Sequence, residues 1–125
     1  MELIIRKKIL VIDDDAIHLT LANEILKRNY DVYTAKSGEE ALDYMKKGNI
    51  PDIILLDIIM PQMNGWEVFS KIKGIGLLKN IPIVFITAMD NESDVQTAQR
   101  MGAADYITKP FSRKKLLSSI ARLIK

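Results

Sequence analysis

Asp57 ends the apolar run Ile53-Ile54-Leu55-Leu56, and Ile58, Ile59 and Met60 resume that run as far as Pro61. An unpaired carboxylate in such surroundings costs more than the neighbouring Ile and Leu side chains offset, so Asp57 requires a compensating positive charge. Three other apolar runs also end in polar residues: KILVI in Asp13-Asp14-Asp15, PIVFI in Thr87 and ADYIT in Lys109. Taken singly, Thr87 reads as a β-branched strand residue and Lys109 as a surface lysine, and Asp15 reads as the N-cap of a following helix. Taken together, they supply several carboxylates, one hydroxyl and one ammonium. Two carboxylates about 4 Å apart repel by roughly 4 kcal/mol at an effective dielectric near 20, so such a cluster calls for a cation. Carboxylate oxygens with no His or Cys beside them favour magnesium (Mg2+) over zinc. Mg2+ keeps waters and accepts a phosphate oxygen, which points to metal-assisted phosphoryl transfer.

These residues work together only if the chain brings them to one place. Short apolar runs at 8–13, 30–35, 52–57, 82–87 and 104–109 have strand length and composition. Between them lie helix-length segments at 16–28, 38–47, 65–73, 91–101 and 112–124. In the last, Leu116, Leu117, Ile120, Leu123 and Ile124 recur at three and four and form one apolar face. Strict alternation of strand and helix predicts an α/β fold, a doubly wound five-stranded parallel sheet flanked by five helices. The third strand, apolar throughout, belongs at the centre. Asp13, Asp14, Asp57, Thr87 and Lys109 then all stand at carboxyl ends of strands, the edge where open parallel sheets bind ligands.

Composition narrows the class. The 125 residues, 48% hydrophobic, suit one domain over 1–125 with one core. A net charge of +2 is too balanced for a nucleic-acid footprint. Cysteine is absent, which excludes disulfides and thiolate metal sites. The apolar run before Asp13 is too short for a signal peptide or a membrane span, so a cytoplasmic domain without membrane contact is expected. His18, the single histidine, reads as a surface or boundary residue of the first helix, and Met63 and Trp66 read as packing. KGIGLLKN lacks the order of a phosphate-binding loop. Pro61 and Gly65 are expected to shape the loop after Asp57, where Gly65 can take a positive φ at no steric cost. Arg113, Lys114, Lys115, Arg122 and Lys125 read as a solvated helix face or a docking surface.

In combination, ILVIDDD, IILLDIIMPQMNGWE, PIVFITA and GAADYITKPF resemble the motif blocks of response-regulator receiver domains, in order and along nearly the whole chain. The resemblance implies a flavodoxin-like, CheY-like sheet of order 2-1-3-4-5. It implies phosphorylation of Asp57 by a sensor histidine kinase or phosphotransfer protein, with Mg2+ held by Asp13, Asp14, Asp57 and the main-chain carbonyl of Ile59. Thr87 and Lys109 would contact the phosphoryl group, and the Lys109-Pro110 bond would be cis. Thr87 and Tyr106 would form the switch: the hydroxyl drawn to the phosphoryl group vacates space into which Tyr106 rotates. The surface of the fourth helix, fifth strand and fifth helix would then act on a downstream protein or a fused output domain, or form a phosphorylation-dependent homodimer. Direct nucleic-acid binding is not expected.

The sequence departs from the receiver pattern at two places. Ile59 and Met89 stand two residues past Asp57 and Thr87, where receivers commonly carry polar side chains that orient a hydrolytic water. Slow loss of the phosphoryl group is the expectation. Two other readings compete. Asp13-Asp14-Asp15-Ala16-Ile17 nearly matches the DxDx[TV] nucleophile motif of haloacid-dehalogenase-like phosphatases, but its fifth residue is Ile and no acid pair follows the lysine. A receiver-shaped binding module that is never phosphorylated would not require Asp57, Thr87 and Lys109 together.

Overall fold

A computed structural model describes residues 5–125. Ten elements alternate along the described residues: β1 (Lys8–Ile12), α1 (Ala16–Leu26), β2 (Asp31–Ala35), α2 (Gly38–Lys46), β3 (Ile53–Leu56), α3 (Gly65–Lys73), β4 (Ile83–Thr87), α4 (Glu92–Met101), β5 (Asp105–Thr108) and α5 (Arg113–Leu123). All strand pairs are parallel, and the sheet order is β2-β1-β3-β4-β5. The expected fold and order are those observed, with β3 at the centre.

Period-two alternation within apolar strands divides the core into two layers. Leu10, Ile12, Ile54, Leu56, Ile83 and Phe85 face α2 and α3, where Leu42, Met45, Val68, Phe69 and Ile72 close over them. Ile9, Val11, Ile53, Leu55, Val84 and Ile86 point the other way, to Leu19, Ile25 and Leu26 of α1 and Leu116 and Ile120 of α5. Each helix begins on a side-chain cap that accepts a main-chain N–H: Asp15, Ser37, Asn64, Asn91 and Ser112. These caps fix where each helix starts after a strand's carboxyl end, and so fix the rim of the site.

Gly65 shapes the loop by a different means from its backbone freedom. Its φ is not among the positive values, which belong to Gly48, Gly102 and the non-glycine Gln62. What excludes a side chain is space: a Cβ there would collide with the Asp57 carbonyl oxygen and lie 2.6 Å from Ile58 Cα. The Gly65 amide donates to the Ile58 carbonyl at 2.8 Å, drawing the start of α3 against the end of β3. Close backbone approach, rather than φ, requires the glycine.

Candidate functional site

Register places the polar residues side by side. Ile12 pairs with Leu56, so Asp13 and Asp57 follow at the same height on neighbouring strands. The Asp57 amide donates to the Ile12 carbonyl at 3.0 Å and the Lys109 amide to the Thr87 carbonyl at 2.8 Å, extending the ladder by one bond at the rim. Asp13, Asp57 and Thr87 are buried, at 4%, 7% and 0% exposure, and Asp14 is exposed. Carboxylate oxygens of Asp13, Asp14 and Asp57 all lie within 4.8 Å of one another.

The compensating charge that Asp57 requires is Lys109. Its ammonium donates to Asp57 Oδ2 at 2.9 Å and to Asp13 Oδ2 at 2.7 Å. The second oxygens are held by main chain: the Asp15 amide donates to Asp13 Oδ1 at 2.9 Å and the Ile59 amide to Asp57 Oδ1 at 3.3 Å. Burial pushes the Asp13 carboxyl above its ordinary range, more than its hydrogen bonds from Lys109 and Asp15 lower it, and the Asp57 charge adds to the rise. Burial alone would lower Lys109, but its hydrogen bonds to Asp13 and Asp57 outweigh that and raise it, so it stays an ammonium. The Lys109-Pro110 bond is cis, as expected.

The donor set fits Mg2+. Three carboxylates converge, one of them open to solvent, and oxygen donors with room for water and phosphate are what this hard ion takes. The premise that no histidine lies near needs correction. His18 Nδ1 is 2.8 Å from Lys109 Nζ and 3.5 Å from Asp13 Oδ2. Because that nitrogen is engaged by the ammonium, the free donors of the cluster remain oxygens. The sequence put His18 on α1 as a surface or boundary residue, and its side chain is 39% exposed; what it could not give is the reach across 91 positions to Lys109.

Farther out, the Met89 main chain connects the site to β5. Its amide donates to Thr87 Oγ1 at 3.3 Å, and its carbonyl accepts from the Tyr106 hydroxyl at 2.7 Å. Tyr106 is half-buried and tilted against Phe85, ring centroids 6.3 Å apart. Burial, with Asp94, Asp90 and Asp57 nearby, raises its phenol above the ordinary range, keeping it a donor. The tyrosine thus already has a partner beside the site. Ile59 is 57% exposed. Trp66 and Met63 pack against the core as expected, Trp66 5.0 Å from Phe85 between ring centroids. Among the basic residues of α5, Arg122 is bound to Asp105 at 2.8 Å, whereas Arg113, Lys114 and Lys115 are exposed. No helix among the described residues is long and apolar enough to cross a membrane.

Comparison with known proteins extends this geometry. Residues 9–121 match the family described as "Response regulator receiver domain". The chain is 39% identical over 120 residues to the alkaline phosphatase synthesis transcriptional regulatory protein PhoP of Bacillus subtilis, covering 95% of this chain and 49% of that protein. The chain thus spans about half the length of that protein and of a probable transcriptional regulator, ycf27, of Porphyridium aerugineum. Chemotaxis protein CheY4 of Vibrio cholerae superposes with a TM-score of 0.89 at 29% identity, covering 96% of this chain and all of that one. A beryllofluoride-activated DrrB receiver domain gives 0.84 at 28% identity, over 96% and 98% of the two chains. By the extent of the family match and by a shared architecture end to end, the chain belongs to the receiver domains of two-component response regulators.

Proposed function

We propose that residues 1–125 form a single receiver domain in which Asp57 accepts a phosphoryl group from a phosphohistidine. The observation that carries this is the buried Asp57 carboxylate lying within 4.8 Å of Asp13 and Asp14 while Lys109 holds its Oδ2 at 2.9 Å. One Asp57 oxygen attacks phosphorus, the donor's P–N bond breaks with its electron pair leaving on the imidazole, and an acyl phosphate forms. Negative charge on the transferring group needs stabilisation more than the weak nucleophile does. Lys109 supplies part of it, exchanging its bond to Asp57 for one to a phosphoryl oxygen, and the Thr87 hydroxyl donates to another. Asp13, Asp14, Asp57 and the Ile59 carbonyl would hold Mg2+, which when bound neutralises phosphoryl oxygens. Asp13 and Asp14 contribute by presenting oxygens at the buried and the open side of the cluster.

A sensor histidine kinase or a phosphotransfer protein in the cytoplasm is the donor class. The output is a downstream protein, a fused domain or a second copy, met through α4, β5 and α5. The domain turns over no substrate beyond its own phosphoryl group. Incubation with Mg2+ and acetyl phosphate tests the assignment: one acid-stable, base-labile phosphate is expected on Asp57, absent from Asp57→Asn and strongly reduced in Asp14→Ala. Peptide mapping of the phosphate to Asp13 would replace this reading with the phosphatase one.

A further inference from the structure

The Lys109 ammonium has three protons, and the structure gives each a partner: Asp13 Oδ2 at 2.7 Å, Asp57 Oδ2 at 2.9 Å and His18 Nδ1 at 2.8 Å. The ammonium can only donate, so Nδ1 must be the unprotonated nitrogen of the ring and the proton must sit on Nε2. His18 enters from α1, whose N-cap Asp15 also places its carboxylate 3.6 Å from the same nitrogen. The Lys109 side chain is only 10% exposed, so a lost partner is not freely replaced by solvent.

The three partners differ in what the reaction does to them. A metal at the acid cluster competes for Asp13, and the incoming phosphoryl group takes Asp57. Neither competes for the imidazole. From this we infer that His18 is a positioning residue for Lys109, the one contact that holds the ammonium in place while its carboxylate partners are exchanged for metal and phosphoryl oxygens. The inference rests on Asp57 being the phosphoryl acceptor. It adds that the rate of phosphoryl uptake depends on an acceptor atom at the place of Nδ1, not merely on a side chain of suitable size on α1.

Three variants separate these ideas. His18→Leu keeps bulk without an acceptor, His18→Asn puts Oδ1 where Nδ1 was, and His18→Gln puts its acceptor out near Nε2. Phosphorylation by acetyl phosphate at saturating Mg2+ would be followed by intact mass, with thermal unfolding as the check on folding. His18→Leu and His18→Gln should slow uptake about tenfold, as expected for one misdirected charge-assisted hydrogen bond, and His18→Asn should recover most of the rate. A second readout needs no phosphodonor. His18 is the single histidine, so the ring 15N resonances of unphosphorylated, metal-free protein are assigned on sight. They should show the Nε2–H tautomer, with an Nδ1 signal that moves in Lys109→Met. Uptake in folded His18→Leu equal to wild type overturns the inference, as does a ring bearing its proton on Nδ1 or a His18→Asn variant as slow as His18→Leu. Wild-type protein that takes no phosphate on Asp57 instead overturns the reading on which it rests.

Discussion

Two residues past Asp57, Ile59 stands 57% exposed, and two past Thr87, Met89 is half-buried with its main chain already committed to Thr87 and Tyr106. Neither side chain can donate to a water approaching the phosphoryl group, and the Met89 thioether is at most a weak acceptor. Slow decay of the acyl phosphate is therefore expected, and Ile59→Asn with Met89→Glu should shorten its half-life by about tenfold or more, in line with ordinary contributions of a water-orienting group. Decay followed by intact mass that is unchanged in both variants would sink this account. Asp105 makes a different residue-scale prediction, about stability. Burial would raise its carboxyl, but hydrogen bonds from Ser119 Oγ and the Tyr106 amide and the charge of Arg122 outweigh this and lower it. A carboxyl lowered by folding contributes stability that is present above its unfolded value of about 3.9 and is lost as pH falls through the lower folded value. Asp105→Asn should cost about 1–2 kcal/mol in urea unfolding at neutral pH, allowing for screening on the exposed Arg122 side. The difference should shrink in acid below the usual carboxylate range. None of the Ser119–Asp105–Arg122 contacts was readable beforehand, because α5 meets β5 at a rotation that the three-and-four spacing of Leu116, Leu117 and Ile120 leaves undetermined.

At the scale of elements, the sequence was most informative where patterning is strict. The segment 65–73 is α3 to the residue, and all five strands and the other helices fall within one or two residues of their expected ends. The largest systematic shift is itself chemical: Asp13, Asp57 and Lys109 ended the expected strands but lie just beyond β1, β3 and β5, because there the side chains turn to one another. Gly65 was legible as a loop glycine but not for its reason, since close contact between the start of α3 and the end of β3 exists only in three dimensions. Gly65→Ala should therefore destabilise the domain by about 1–3 kcal/mol, as overpacking against backbone does. Because the colliding atoms belong to Asp57 and Ile58, phosphoryl uptake should fall as well, even at temperatures where the variant is folded. A variant with normal stability and normal uptake would show that the β3–α3 junction yields, and that α3 does not hold Asp57 in place.

Across the whole molecule, the sheet separates two layers of the core, and one chain of contacts, half-buried at Met89 and Tyr106, connects the site to the α4–β5 face. Thr87 receives the Met89 amide, Met89 receives the Tyr106 hydroxyl, and Tyr106 leans on Phe85, which also meets Trp66 and Phe69. The sequence expectation had Tyr106 entering space that Thr87 vacates. In the structure the Tyr106 hydroxyl donates to the Met89 carbonyl at 2.7 Å and its ring lies tilted against Phe85. On the proposed function, drawing the Thr87 hydroxyl toward a phosphoryl group would free the Met89 amide and so reach the loop that leads into α4. Moving a two-state element from 1:99 to 99:1 takes about 5.5 kcal/mol, and one charge-assisted hydrogen bond at Thr87 would provide roughly 1.5–3 kcal/mol, so on this proposal Thr87 would bias the switch without completing it. Thr87→Ala should accept phosphate on Asp57 but lose most of the phosphorylation-dependent change in amide hydrogen exchange over Glu92–Met101 and Asp105–Thr108. Tyr106→Phe removes a neutral bond worth about 0.5–1.5 kcal/mol, and should shift exchange in those segments about 2- to 10-fold before any phosphate is added. If Thr87→Ala still transmits like wild type, the route through Met89 is wrong. If Tyr106→Phe leaves resting exchange unchanged while Thr87→Ala is uncoupled, the signal leaves Met89 for α4 directly and Tyr106 is a passenger.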